Sequence, residues 1–242
     1  MLIYKRILLK LSGEFFSSNT QKLGINKLAN LIKHLQQLLD HKVQIVIVVG
    51  GGNIVRGDQW LLQAKQSYQN INPAIADYIG MMATIINGLA LHSCCQAQGI
   101  DSILISPYNI DNVIDQTYEK STAIQSLQQN KILIIAGGTG KPFCTTDTAA
   151  SFFGVELEVD VLLKATKVNG IFSADPLQNT TAKFLSQITY EQAIAQKLNV
   201  MDQQAFTHCK QHSLPIIIFN MQKIQAILSI VQGKKIGSLI CN

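Results

Sequence analysis

Charge is scarce in this sequence: of 242 residues, only 14% are Asp, Glu, Lys or Arg, while 47% are hydrophobic. A chain of that composition buries a core, which excludes the disordered class. Its length suits one large domain, 1–242, better than two. Long apolar runs are missing as well. A helix crossing a bilayer calls for about 18 or more uninterrupted apolar residues, and runs such as 43–49, interrupted by Gln44, are far shorter. No membrane is therefore expected. Residues 1–10 carry Lys5 and Arg6 inside their apolar part and lack a small-residue cleavage site, so they do not read as a secretory signal. A cytoplasmic location is the expectation.

Cysteine is sparse and odd in number. Cys94, Cys95, Cys144, Cys209 and Cys241 show neither C-x-x-C nor Cys/His ligand spacing, which excludes a disulfide framework and a structural zinc and fits a reducing compartment. The net charge of +5 is dispersed, with few aromatics beside the Lys and Arg residues. No nucleic acid is expected; a mildly basic enzyme for anionic nucleotides explains the charge. Linkers rich in Pro, Gly or Ser and fixed-period repeats are absent too.

What is present is an alternation of short β-branched or leucine-rich runs with longer stretches of helical period, the mark of a parallel sheet covered by helices. Strands are predicted at 6–11, 43–49, 102–105, 131–136, 160–164 and 215–219. Between the first two, Ile25, Leu28, Leu31, Ile32, Leu35, Leu38 and Leu39 fall on one helix face. Further helices are predicted at 74–98, 117–129, 146–155, 190–196, 203–212 and 222–232. The stretch 165–187, with Asn169-Gly170 and Asp175-Pro176, is rich in turn formers and reads as a hairpin or excursion above the sheet.

Three glycine-rich segments each follow a predicted strand: Ser12-Gly13, Gly50-Gly51-Gly52-Asn53 and Gly137-Gly138-Thr139-Gly140. In an open parallel sheet such turns converge at the carboxyl edge, where ligands bind. Their backbone N–H groups can approach phosphate closely; taken singly, each could equally be a tight bend. Two familiar phosphate loops are excluded. Gly57 is followed by Asp58-Gln59 rather than Lys and a hydroxyl residue, and Gly138-x-Gly140 is followed by Lys141-Pro142-Phe143 rather than x-x-Gly.

Lys10 closes an apolar strand just before Ser12-Gly13, a place from which an ammonium group can stabilise a transferring phosphoryl group; the alternative is a lysine snorkelling to solvent. Arg56, expected one turn into the helix after the Gly50 segment, is a second candidate phosphate clamp or else a solvated helix charge. Asp147, after Thr145-Thr146, could orient Lys10, hold Mg²⁺ or cap a helix.

Together these segments resemble a known family. Lys10-Leu-Ser-Gly-Glu14, Gly50-Gly-Gly-Asn53 with Arg56-Gly57, Gly80-Met81, Ala83-Thr84, Asn87-Gly-Leu-Ala90, Thr139-Gly140 with Pro142-Phe143 and Thr145-Thr-Asp147, Lys164-Ala-Thr-Lys-Val168 with Gly170, and Val200-Met-Asp202 are similar, in order, to the bacterial uridylate kinases of the amino acid kinase superfamily. The resemblance implies a three-layer α/β/α sandwich around a central, mostly parallel sheet. It implies transfer of a phosphoryl group from ATP to UMP in pyrimidine nucleotide biosynthesis, with Lys10, Arg56 and Asp147 catalytic. ATP would be held by Lys10, Leu11, Ser12, Gly13, Gly52, Arg56, Thr166, Phe172 and Asp175. UMP would be held by Gly51, Asp77, Thr139, Gly140, Lys141, Pro142, Phe143, Cys144, Thr145 and Thr146. Mg²⁺ would accompany ATP, with no directly ligating protein residue assigned. A homohexamer activated by GTP and inhibited by UTP is also implied. Lys141 stands where the family commonly has Asn, 60–71 is longer than usual, and 17–23, in the region linked to the GTP response, is atypical. Two other readings remain: a kinase of the same superfamily acting on a carboxylate or carbamate, and a non-catalytic nucleotide or oxyanion store.

Overall fold

The structure is a computed structural model describing residues 1–242 except 19, 69, 175–180, 197, 199 and 200. In chain order its first half runs β1 (Arg6–Leu11), α1 (Gly13–Phe16), α2 (Ile25–Asp40), β2 (Gln44–Val49), α3 (Gly57–Ser67), α4 (Pro73–Ala97), β3 (Ser102–Ser106), β4 (Gln116–Thr117), α5 (Lys120–Gln128) and β5 (Ile132–Ile135). There follow α6 (Thr146–Glu156), β6 (Val161–Thr166), β7 (Ile171–Phe172), β8 (Phe184–Leu185), β9 (Gln187–Thr189), α7 (Tyr190–Ala195) and α8 (Gln203–Gln211). The chain closes with β10 (Ile216–Asn220), a 3₁₀ segment (Met221–Ala226), α9 (Ile227–Val231) and β11 (Ser238–Cys241).

Nine strands form one sheet in the order β4-β3-β5-β2-β1-β6-β10-β11-β9. The pairing is parallel except where β11 meets β10, so the expected mostly parallel sheet is observed. Strands in such a sheet are covered on both faces and must be apolar almost throughout, which is why β1, β2 and β5 read RILLKL, QIVIVV and ILII. Alternate residues point to opposite faces. Ile7, Leu9 and Leu11 join a core with α2, α4 and α9, whereas Leu8 joins the opposite core with α5, α6, α7 and α8. These are the three layers that the resemblance implied.

All six predicted strands form, each within two residues of its expected bounds. The 222–232 helix is instead a 3₁₀ turn and a short α-helix, kinked at Lys223 (φ −104°, ψ 41°). The 165–187 excursion contains the antiparallel pair β7–β8, and Asp175-Pro176 lies outside the described residues. Helix α4 alone among the described residues is long and apolar enough to cross a bilayer. It packs instead against the sheet, with Asn87 and Leu91 fully buried.

Candidate active site

The centre of the site is an ion triad at the carboxyl ends of β1 and β6. Lys10 and Lys164 are register partners on these adjacent parallel strands. Both fall on the face occupied by Leu8 and Leu162, so both ammonium groups reach the first turn of α6. There Asp147 lies 2.8 Å from Lys10 and 2.6 Å from Lys164. Thr145 caps α6, accepting from the Asp147 and Thr148 N–H groups, and the helix N-terminus favours the Asp147 carboxylate. Burial alone would raise the Asp147 pKa, but Lys10 and Lys164 outweigh it and hold the carboxyl below its ordinary value. Burial lowers the Lys164 pKa; Asp147 opposes that shift and Lys10 adds to it. The result is a mostly buried cluster of two ammonium groups around one carboxylate, with the Asp202 carboxylate also acting on Lys164.

The first and second glycine turns meet backbone to backbone. A Cβ on Gly13 would lie 2.4 Å from the Gly52 nitrogen, so no side chain fits there. Among the described residues the buried Ser12 hydroxyl beside them has no hydrogen-bond partner, an arrangement a ligand oxygen would satisfy. Arg56 is not one turn into a helix: a turn follows Gly52, and Arg56 is the N-cap residue of α3. Its guanidinium pairs with Glu14 at 2.8 Å, and the other Glu14 oxygen pairs with Lys167 at 2.8 Å.

A cavity of about 580 Å³ opens between the second turn, α4 and the segment before α6. It is lined by Gly51, Gly52, Arg56, Asp77, Phe143, Cys144, Thr145 and Thr146, among others. Phe143, with φ of +63°, turns its N–H to the Asp77 carboxylate at 2.9 Å. Thr139, Gly140, Lys141 and Pro142 do not line this cavity. Thr139 Oγ1 accepts from the Lys141 N–H at 3.3 Å, and the Gly140 carbonyl accepts from the Tyr108 hydroxyl at 3.1 Å. The structure thus brings together in this cavity about half of the residues expected at UMP, with Gly138 but not Thr139 to Pro142 in its lining.

A second cavity of about 480 Å³ is lined by Glu14, Phe15, Lys27, Asn30, Lys167, Met221, Gln222 and Ile224. Thr166 ends β6 nearby, its hydroxyl donating to the Val168 carbonyl at 3.0 Å. Phe172 stacks edge-on against Phe184 at 5.5 Å in the β7–β8 pair. Asp175 lies outside the described residues. Lys164 has no role from the sequence beyond its place in the Lys164-Ala-Thr-Lys-Val168 motif, although the signal is there: like Lys10, it is a lysine near the carboxyl end of an apolar strand.

With this geometry in hand, likeness to known proteins becomes informative. The amino acid kinase family model matches residues 5–220. A uridylate kinase of Escherichia coli (strain K12) is 41% identical over 240 residues, covering 98% of this chain and 96% of that protein. The UMP kinase from Bacillus anthracis matches with a TM-score of 0.92 at 30% identity, over 98% of this chain and 96% of that one. The UMP kinase from Ureaplasma parvum gives 0.90 at 29% identity, over 98% and 99%.

Proposed function

The chain belongs to the amino acid kinase family, and from that premise we propose that it transfers the terminal phosphoryl group of ATP to UMP, giving UDP by direct in-line displacement. The observation that carries the reading is the Lys10–Asp147–Lys164 triad at the carboxyl ends of β1 and β6, next in chain to Thr145 and Thr146, which line a cavity together with Gly51, Gly52 and Asp77. Phosphoryl transfer needs no covalent intermediate. It needs two nucleotides aligned and the charge between them neutralised.

In this reading Lys10 places its ammonium on the transferring group, and Asp147 holds it there against Lys164. The N–H groups of Ser12, Gly13 and Gly52, the Ser12 hydroxyl and Arg56 take the ATP phosphates, and Glu14 keeps Arg56 at the rim. Thr166, Phe172 and Asp175 hold adenosine. Gly51, Asp77 and the 139–146 segment hold UMP. Asp147 already faces two lysines, and no protein ligand is assigned to Mg²⁺; bound together with ATP, it would supply neutralisation of part of the phosphate charge. Cytoplasmic location, GTP activation, UTP inhibition and hexameric assembly belong to the same proposal. An apolar stripe of Ile75, Tyr78, Met82 and Ile86 on α4, each more than a third exposed, supports self-association.

A coupled assay of ADP release with UMP, CMP, dUMP, acetylglutamate and carbamate as acceptors tests the reading. UMP should dominate, with CMP much poorer. Turnover of a carboxylate or carbamate in preference to UMP would transfer the chain to another branch of the family, and nucleotide binding without ADP release would favour a store.

A further inference from the structure

Asn87 is a fully buried primary amide in the apolar helix α4, and such a group persists only when its donors and acceptor are satisfied. Among the described residues, all of its partners belong to the second glycine turn. Its Nδ2 donates to the Gly50 carbonyl at 2.6 Å and to Asn53 Oδ1 at 2.7 Å, and its Oδ1 accepts from Asn53 Nδ2 at 3.1 Å. Gly50 is held from the other side as well, its N–H donating to the Leu11 carbonyl at 2.8 Å. Asn53 forms the wall against which the first turn rests: a Cβ on Gly13 would meet Asn53 Oδ1 at 2.6 Å. One turn earlier on α4, Thr84 Oγ1 accepts from the Gly137 N–H of the third turn at 2.6 Å.

We propose that Asn87 is a positioning residue for the phosphoryl donor, locking the second glycine turn to the first so that their N–H groups face the phosphates together. The inference rests on the reading of these two turns as the ATP phosphate site. Asn87 is walled off from solvent and acts through Gly50 and Asn53. An apolar side chain of similar size would pack in α4 but would release the Gly50 peptide and unpair Asn53. The turn could then shift by a fraction of an ångström, enough to disturb in-line alignment.

The test uses Asn87→Asp, which keeps the shape and presents an acceptor where Gly50 and Asn53 need a donor, alongside Asn53→Ala, which breaks the amide pair from its partly exposed side. Both are assayed for kcat and for KM with MgATP and with UMP, and by amide hydrogen exchange. The account expects kcat/KM for MgATP to fall about tenfold to a hundredfold in Asn87→Asp, with KM for UMP, which the same turn touches through Gly51, rising less. Exchange at 50–53 should quicken while β1 and β2 stay protected. A folded Asn87→Asp with unchanged donor kinetics and unchanged exchange overturns the inference. So does an equal rise in both KM values with a general loss of protection, which a merely structural residue would give. If Asn87→Asp does not fold, Asn53→Ala must show the same donor-selective loss, and its absence refutes the inference. If wild type makes no UDP, the proposed function fails, and local exchange at 50–53 in the variants still decides the positioning role.

Discussion

Replacing Asp147 by Asn removes one negative charge from between two ammonium groups, and the consequence can be worked from the distances. Opposite unit charges at about 4 Å attract by about 4 kcal/mol at an effective dielectric of about 20; Lys10 and Lys164 lie closer, at 2.8 and 2.6 Å. Lost hydration offsets much of that attraction in the wild type. Removing the anion takes a shared counter-ion from two cations, and breaking a buried pair from one side costs about 3–5 kcal/mol. With a urea dependence of about 2.5 kcal/mol/M, the unfolding midpoint should fall by about 1–2 M. Lys164, whose pKa burial already lowers, is the group that relieves the strain by losing its proton. The double variant Asp147→Asn/Lys164→Met removes one of the two facing cations, so its midpoint should lie above that of Asp147→Asn. Urea unfolding of wild type, both single variants and the double variant completes the cycle. An unchanged midpoint in Asp147→Asn, or a double variant less stable than the two single losses added together, would refute the triad as the source of the effect.

Other consequences follow from the same geometry. Lys10→Ala should lower kcat by about two orders of magnitude or more with the fold intact by circular dichroism; near-normal kcat would make Lys10 a structural partner of Asp147 only. Asp77→Asn should reduce UMP efficiency and shrink the preference for UMP over dUMP, which in wild type should be about one to two orders of magnitude if Asp77 accepts from the ribose hydroxyls; an unchanged ratio in steady-state kinetics would place Asp77 away from the sugar. The Asp147 pKa is depressed in the fold, so its stabilisation is present above the ordinary value of 3.8 and is lost as pH falls through the folded value. Acid titration of stability should therefore be steeper below that point in wild type than in Asp147→Asn, and superimposable slopes would contradict the assignment.

The long parallel strands were legible because burial on both faces leaves continuous apolar runs, and the glycine turns because they follow those runs directly. The edge of the sheet was not. β4, β9 and β11 are two to four residues long, too short for periodicity to register. α3 escaped because it buries none of its residues, which leaves no core-facing stripe to read, and that omission misplaced Arg56. The site was legible where a charge interrupts an apolar strand, as at Lys10. Asn87 stood out only as part of a motif, and its role was illegible for the opposite reason: its partners lie 37 and 34 residues away, so only the fold makes its purpose visible.

The most direct measurement is ³¹P NMR of the purified protein with Mg²⁺, ATP and UMP. The account predicts resonances of UDP and ADP growing in equal amounts, with phosphate from [γ-¹⁸O]ATP appearing as the terminal phosphoryl group of UDP. ATP loss accompanied only by inorganic phosphate, or no UDP from a folded protein, would contradict it.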